Sequence, residues 1–289
     1  MGIEKTVEKT AVEILRRAVI YLPNDVKEAL KNAYKNETSE AGKTQLKAIL
    51  DNIELGERNK TPICQDTGVI LFYVTVGKDF GDSSYIPRAL QAAVRAATAE
   101  VPLRPNAVHP LTRKNSGDNT GVNMPYINWD LGDGDYVEIT AMPKGAGSEN
   151  MSGFAMLTPA EGESTLKRFV IDRVISAGAQ PCPPTIIGVG VGGSSDVAMK
   201  LAKKALLRPA NMRHSEPQIA NLEKAVLDAV NMTGIGPMGL GGKFTSLAVN
   251  IEYAHCHTAS LPVGLNMQCW AARRATARIH RDGAVEILS

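Results

Sequence analysis

The feature that most constrains this chain is a change of hydrophobic period along its length. Near the start, Ile3, Val7, Ala11, Ile14, Leu15 and Ala18 recur every three or four positions, which describes one face of a helix ending before Pro23. Over residues 69–76 the text becomes Val-Ile-Leu-Phe-Tyr-Val-Thr-Val, a β-branched and aromatic run stopped by Gly77, and this reads as a buried strand. The two patterns then interleave. Helices are expected over residues 26–34 behind Asp25 and Glu28, after Ser39, from Ser84 to Pro102, and over 196–207 and 218–230. Strands are expected over 136–142, 185–191, 246–253 and 263–269. A final hairpin turns at Asp282-Gly283 between 277–280 and 284–288. The expected fold is α+β (mixed α/β), a helical amino-terminal lobe packed on a mixed β-sheet. Without a repeat or a composition break, one domain over 1–289 is expected, with the helical lobe of roughly 1–60 included.

Composition closes off several classes of function. Of 289 residues, 44% are apolar and 21% charged, as in ordinary globular chains. The 32 basic and 30 acidic side chains leave a net charge of +2, which gives no long-range pull toward nucleic acid or an anionic membrane. No run approaches the roughly 18 apolar residues of a membrane span. The text after Met1 lacks an apolar signal core, and the loose myristoylation pattern at Gly2 and Thr6 runs into a charged amphipathic helix. The expected compartment is the cytoplasm.

Four cysteines, Cys64, Cys182, Cys256 and Cys269, are few for a disulfide scaffold of this length. Cys64 stands just before a strand, in Pro62-Ile63-Cys64-Gln65-Asp66-Thr67-Gly68. Cys182 has proline on both sides, which removes a backbone donor and prevents helix. Cys269 closes a strand before Trp270-Ala271-Ala272-Arg273-Arg274. Such settings suit ligands, yet no C-x-x-C occurs, and by spacing alone metal ligation and structural thiols both stay open.

Other motifs carry less. The Asp66-Thr67-Gly68 text resembles an aspartic-protease loop, but a single copy behind helices does not fit that all-β fold. Gly188, Gly190 and Gly193 satisfy G-x-G-x-x-G after a strand, but the acidic residue expected about 20 positions on is missing. Close packing of backbone is the favoured reading of these glycines. In an extended strand His255 and His257 would share one face while Cys256 points to the other, so a three-ligand site there is not expected. The residues 104–128, rich in Pro, Asn, Gly and Asp, form a loop of the length that usually carries function.

Taken in order, several motifs resemble one family. These are Thr61-Pro-Ile-Cys-Gln-Asp-Thr-Gly68, Leu103-Arg-Pro-Asn106, Lys144-Gly-Ala-Gly-Ser-Glu-Asn150, Cys182-Pro-Pro with its glycine strand, and His257-Thr-Ala-Ser-Leu-Pro262 leading to Cys269-Trp-Ala271. They resemble the amino-terminal catalytic region of class I fumarate hydratases and the related tartrate dehydratase alpha subunits. The resemblance implies a [4Fe–4S] cluster on Cys64, Cys182 and Cys269, with Cys256 structural. It implies substrate contacts at Gln65, Asp66, Arg104, Gly147 and His257, of which Asp66 and His257 are catalytic candidates.

The family's single-chain members continue into a second domain that brings further arginines, a lysine and a threonine to the substrate. The present text ends after the hairpin, so the resemblance is to the alpha subunit of a two-subunit form whose beta subunit supplies those groups and the base. The implied reaction is reversible hydration of fumarate to malate in a hetero-oligomer. Three thiolates leave one iron open as a Lewis acid, Asp66 would exchange a proton with the leaving oxygen, and Arg104 would pair with a carboxylate. Two alternatives are tartrate dehydration and a non-enzymatic, cluster-bearing regulatory role. Singly, Asp66 could cap a turn, Arg104 could be a surface arginine and His257 a core histidine.

Overall fold

Two hydrophobic periods yield two sheets, each with helices of its own. The computed structural model describes residues 2–288. In chain order the helices are α1 (Ile3–Ile20), α2 (Asn24–Asn36), α3 (Glu40–Asn59), α4 (Ile86–Glu100), the short α5 (Ala146–Glu149), α6 (Gly162–Ala177), α7 (Ser195–Ala205) and α8 (Pro217–Asn231). The strands are β1 (Val69–Gly77), β2 (Tyr126–Gly132), β3 (Tyr136–Lys144), β4 (Gly153–Leu157), β5 (Thr185–Gly192), β6 (Ser246–Ala254), β7 (Leu261–Gln268), β8 (Ala275–His280) and β9 (Val285–Ile287). The expected mixed α/β class is what the structure has. No helix among the described residues is long and apolar enough to cross a membrane.

One unit draws on Met1–Pro23, Ile53–Ala146 and Arg273–Ser289. Its sheet runs β2-β1-β3-β8-β9, with β2 parallel to β1 and the other pairs antiparallel. Alternation decides which face is covered. Phe72, Val74, Ile139, Ala141, Ala277 and Ile279 meet Ile14, Leu15, Leu90, Val94 and Ala97 of α1 and α4 in one buried cluster. Phe72 is fully buried there, so Phe72→Ala would cost about 3–5 kcal/mol.

The other unit draws on Asn24–Asn52 and Gly147–Ala272. Its sheet runs β4-β7-β5-β6, with β5 parallel to β6 and antiparallel to β7. Ile187 and Val189 of β5 join Val170 and Val174 of α6 and Val226 and Val230 of α8 on one face. The other face of β5 carries the glycines, and there α7 sits against the backbone. A Cβ at Gly188 would collide with the carbonyl of Ala202, and one at Gly190 with that of Ala198. Close helix–strand approach accounts for these two glycines of the G-x-G-x-x-G text.

One local detail differs from expectation. Helix α2 begins at Asn24, so Asp25 lies within the first turn, where its Oδ2 accepts the amide of Ala210 at 2.7 Å. Ser39 does cap α3, accepting the Gly42 amide at 3.2 Å. Between these helices the buried Glu37 carboxylate accepts the amides of Thr38, Ser39, Lys243 and Phe244. Burial opposes its ionisation, but those backbone donors outweigh it and hold its pKa below the usual carboxylate value.

Candidate active site

The Cys64–Gly68 loop joins α3 to β1 in the first unit. Its entry is fixed where the Ile63 amide donates to the Val19 carbonyl at 3.0 Å. Cys64 is half-buried and Gln65 exposed. Asp66 caps the turn, its Oδ1 accepting the Gly68 amide at 2.9 Å. The same carboxylate accepts Asn106 Nδ2 at 3.1 Å and, through Oδ2, the Ala146 amide at 2.9 Å. Arg273 Nη1 donates to the Asp66 carbonyl at 2.7 Å. Gly68 has φ +81°, and a Cβ there would stand 2.6 Å from the Lys144 nitrogen, so only glycine lets the loop turn against β3. Capping and function are therefore compatible at Asp66. A carboxylate with three donors around it is fixed in direction, which proton exchange at a defined atom requires.

Arg104 is bound to this loop by its backbone. Its amide donates to Thr67 Oγ1 at 2.9 Å, and its carbonyl accepts Asn119 Nδ2 at 3.1 Å. The guanidinium itself is exposed, with no hydrogen bond or ion pair among the described residues, and can meet an incoming carboxylate. Asn119 holds the segment together. It is 1% exposed at φ +60°, and its Oδ1 accepts the amides of Asn106 at 2.7 Å and Ala107 at 3.3 Å. The loop beyond it is ordered by its own contacts. His109 Nδ1 accepts the amides of Leu111 and Thr112, and the Asp118 carboxylate accepts the amide and hydroxyl of Thr120. Burial works against ionisation of Asp118, but hydrogen bonds from Thr120 and Ser116 and the charge of Arg95 together lower its pKa.

In the second unit, Cys182 and Cys269 stand at one end of neighbouring strands. Cys182 precedes β5 and Cys269 follows β7, and these strands pair antiparallel with Ile186 opposite Gln268. The Trp270 amide donates to the Cys182 carbonyl at 3.2 Å, which ties the two turns together. Cys182 adopts φ +54°, a strained conformation for a residue with a Cβ, held between prolines and by the hydrogen bond its amide donates to the Ala179 carbonyl. Both cysteines are half-buried, whereas Cys256 is exposed with its Sγ against the Ser260 carbonyl at 3.2 Å. Gly147 is exposed in α5, where a Cβ would stand 3.2 Å from the Gln180 carbonyl.

His257 is not a core residue. Strand β6 ends at Ala254, close to the expected end at 253, and His255, Cys256 and His257 lie in an exposed loop beyond it. The Ala259 amide donates to His257 Nδ1 at 3.1 Å, which requires that nitrogen unprotonated in the neutral ring. The proton then sits on Nε2, and His257 offers a donor.

None of the four cysteines is in a disulfide. Among the described residues no three His, Cys, Asp or Glu side chains are grouped as a single metal ion needs. A [4Fe–4S] cluster asks for something else, one thiolate on each of several irons. Half-buried thiols in rigid turns, two of them at one strand end, have the donor chemistry for it. Sequence reasoning passed over Asn106, Asn119 and Arg273. The first lay inside a quoted motif without a role, and no periodicity marks a buried amide or guanidinium in irregular text.

Comparison with known proteins adds the following. The model of the family described as "Fumarate hydratase (Fumerase)" matches residues 8–278. A Methanocaldococcus jannaschii protein named "Putative L(+)-tartrate dehydratase subunit alpha" is 52% identical over 280 residues, covering 96% of this chain and 98% of that one. An Escherichia coli (strain K12) protein named "L(+)-tartrate dehydratase subunit alpha" is 37% identical over 269 residues, 93% of this chain and 89% of its own. A Shigella sonnei protein of that name matches to the same extent.

Proposed function

This chain belongs to the fumarate hydratase (Fumerase) family of hydro-lyases, and from that membership we propose that it is the cluster-carrying alpha subunit of an L(+)-tartrate dehydratase. One observation carries the choice of substrate. Relatives named for L(+)-tartrate match it along nearly its whole length, up to 52% identity over 96% of the chain. The fumarate–malate reading drawn from motifs alone becomes the second one, favoured by the description of the family model.

Cys64, Cys182 and Cys269 are assigned to a [4Fe–4S] cluster. These three thiolates would hold the cluster, which would supply Lewis-acid chemistry toward the departing hydroxyl. The chain's own residues do the rest. Asp66, fixed by Gly68, Asn106 and Ala146, exchanges a proton with the leaving oxygen. The exposed Arg104 guanidinium pairs with one substrate carboxylate, where its planar fork suits two oxygens. Gln65 lies beside Asp66 as a further polar contact. Gly147 lets backbone approach the substrate without a side chain, and His257 donates from Nε2.

A four-carbon dicarboxylate carries two negative charges, and these positions provide one arginine. Leaving the second carboxylate desolvated without a cation is strongly disfavoured, so a beta subunit brings the second clamp and the base that takes the carbon-bound proton. Loss of one hydroxyl and the neighbouring hydrogen from tartrate gives the enol of oxaloacetate. Loss from malate gives fumarate. The test is anaerobic reconstitution with iron and sulfide, with a beta subunit, assayed on L(+)-tartrate and (S)-malate side by side. A higher kcat/KM on tartrate supports the assignment, and a higher value on malate replaces it with fumarate hydration.

A further inference from the structure

Arg273 follows Cys269 by four residues, is 2% exposed, and is among the largest buried side chains of the chain. Among the described residues it makes no ion pair. Its Nε has no hydrogen-bond partner, and its Nη1 donates to the Asp66 carbonyl at 2.7 Å. A guanidinium buried without a counter-ion is strongly disfavoured, and a fold that needed only volume here would be served better by methionine. What the group touches suggests why it is there. A Cβ placed on Gly145 would stand 3.1 Å from Asp66 Oδ2 and 3.3 Å from Arg273 Nη2. Carboxylate and guanidinium thus both stand within contact distance of the position that a side chain on residue 145 would take.

We propose that Arg273 is a positioning residue for the hydro-lyase reaction: it pins the Asp66 peptide through its carbonyl and sets a positive charge beside the Asp66 carboxylate across Gly145. This rests on the assignment of Asp66 to proton exchange. Such a role separates stability from turnover, because the charge burdens the fold while it serves the site. Arg273→Lys keeps the charge but loses the planar fork. Gly145→Ala keeps both groups and puts a methyl between them.

The experiment uses the cluster-loaded two-subunit complex on L(+)-tartrate and (S)-malate, together with thermal melting of the chain. Arg273→Met is expected to melt no lower than the parent and to keep its iron content. Its kcat should fall about 100-fold, the scale of a mispositioned acid–base group, while KM moves less than about threefold. Arg273→Lys should recover about tenfold of that loss, and Gly145→Ala should show the same split between kcat and KM. Two results overturn the proposal: kcat for Arg273→Met within about threefold of the parent, or melting temperature, iron content and activity all falling together. If the parent complex turns over neither substrate, the functional reading fails and the positioning role falls with it, whereas the two results above overturn the positioning role alone and leave that reading standing.

Discussion

Around Asp66, side chains hold the backbone: Thr67, Asn106, Asn119 and Arg273 each reach a neighbouring peptide or carboxylate. Around Cys182 and Cys269, backbone holds backbone. There the ties are the β5–β7 pairing, the prolines, and hydrogen bonds donated by the amides of Cys182, Trp270 and Met238 to the carbonyls of Ala179, Cys182 and Pro183. The roles proposed above give the difference a chemical sense. A carboxylate that moves a proton must be aimed by groups that can be placed around it, whereas a thiol that ligates iron needs only a rigid turn. The first region should therefore fail when single side chains well away from the substrate are cut. The second should tolerate such cuts and fail only at its sulfurs or its turns.

The largest expected effect is at the sulfurs of both regions. Cys64→Ser, Cys182→Ser and Cys269→Ser should each take reconstituted iron from about four per chain to none, while Cys256→Ser leaves it unchanged. Iron and sulfide analysis decides this, and a dispensable Cys269 would break the assignment.

Next comes the amide at the centre of the first region. Asn119→Ala strands the amides of Asn106 and Ala107 and should cost about 3 kcal/mol in urea unfolding. Asn119→Gly should cost about 1 kcal/mol less, because glycine accepts the φ of +60° freely.

Glu37 sharpens the comparison, since it is the one place in the second unit described above where a carboxylate gathers four backbone donors. Its pKa is lowered in the folded state, so its stabilisation is present above the unfolded value and lost as pH falls through the folded one. Glu37→Gln should cost about 2 kcal/mol at neutral pH, and the gap to the parent should close below the unfolded carboxylate pKa of 4.5. Unfolding curves across that range check the sign. Ser39→Ala, which removes the cap of α3, should cost about 1 kcal/mol. The smallest effect belongs to the backbone-held region. Gln180 contributes its carbonyl beside Gly147 and exposes its side chain, so Gln180→Ala should change stability by less than about 0.5 kcal/mol.

How much of this was legible depended on whether the signal was local. β1, β5, β6 and the final hairpin announce themselves as apolar runs or an Asp-Gly turn, and the structure has them. β2 and β4 did not, because β2 is an edge strand interrupted by Asn128 and Asp130 and β4 is five residues beginning at Gly153 with Phe154 and Met156 exposed. The rigid setting of Cys182 could be read from its prolines. Its neighbourhood with Cys269 could not, since it depends on the pairing of strands about 75 residues apart in the chain. Asp66 was found through its motif, but its partners Asn106, Ala146 and Arg273 come from three distant segments whose text carries no period. The strand before His257 was legible, since 246–253 was expected and β6 ends at Ala254, but nothing in His-Cys-His tells how the loop beyond it is laid.

The central claim is that three cysteines leave one iron of a cluster open to substrate in a chain that needs a partner. Mössbauer spectroscopy of the anaerobically reconstituted complex, before and after L(+)-tartrate, tests it most directly. The account predicts about four irons per chain, of which a single site changes its spectrum when tartrate is added and the others do not. Four equivalent irons indifferent to tartrate, or a cluster that persists in Cys182→Ser, would contradict it.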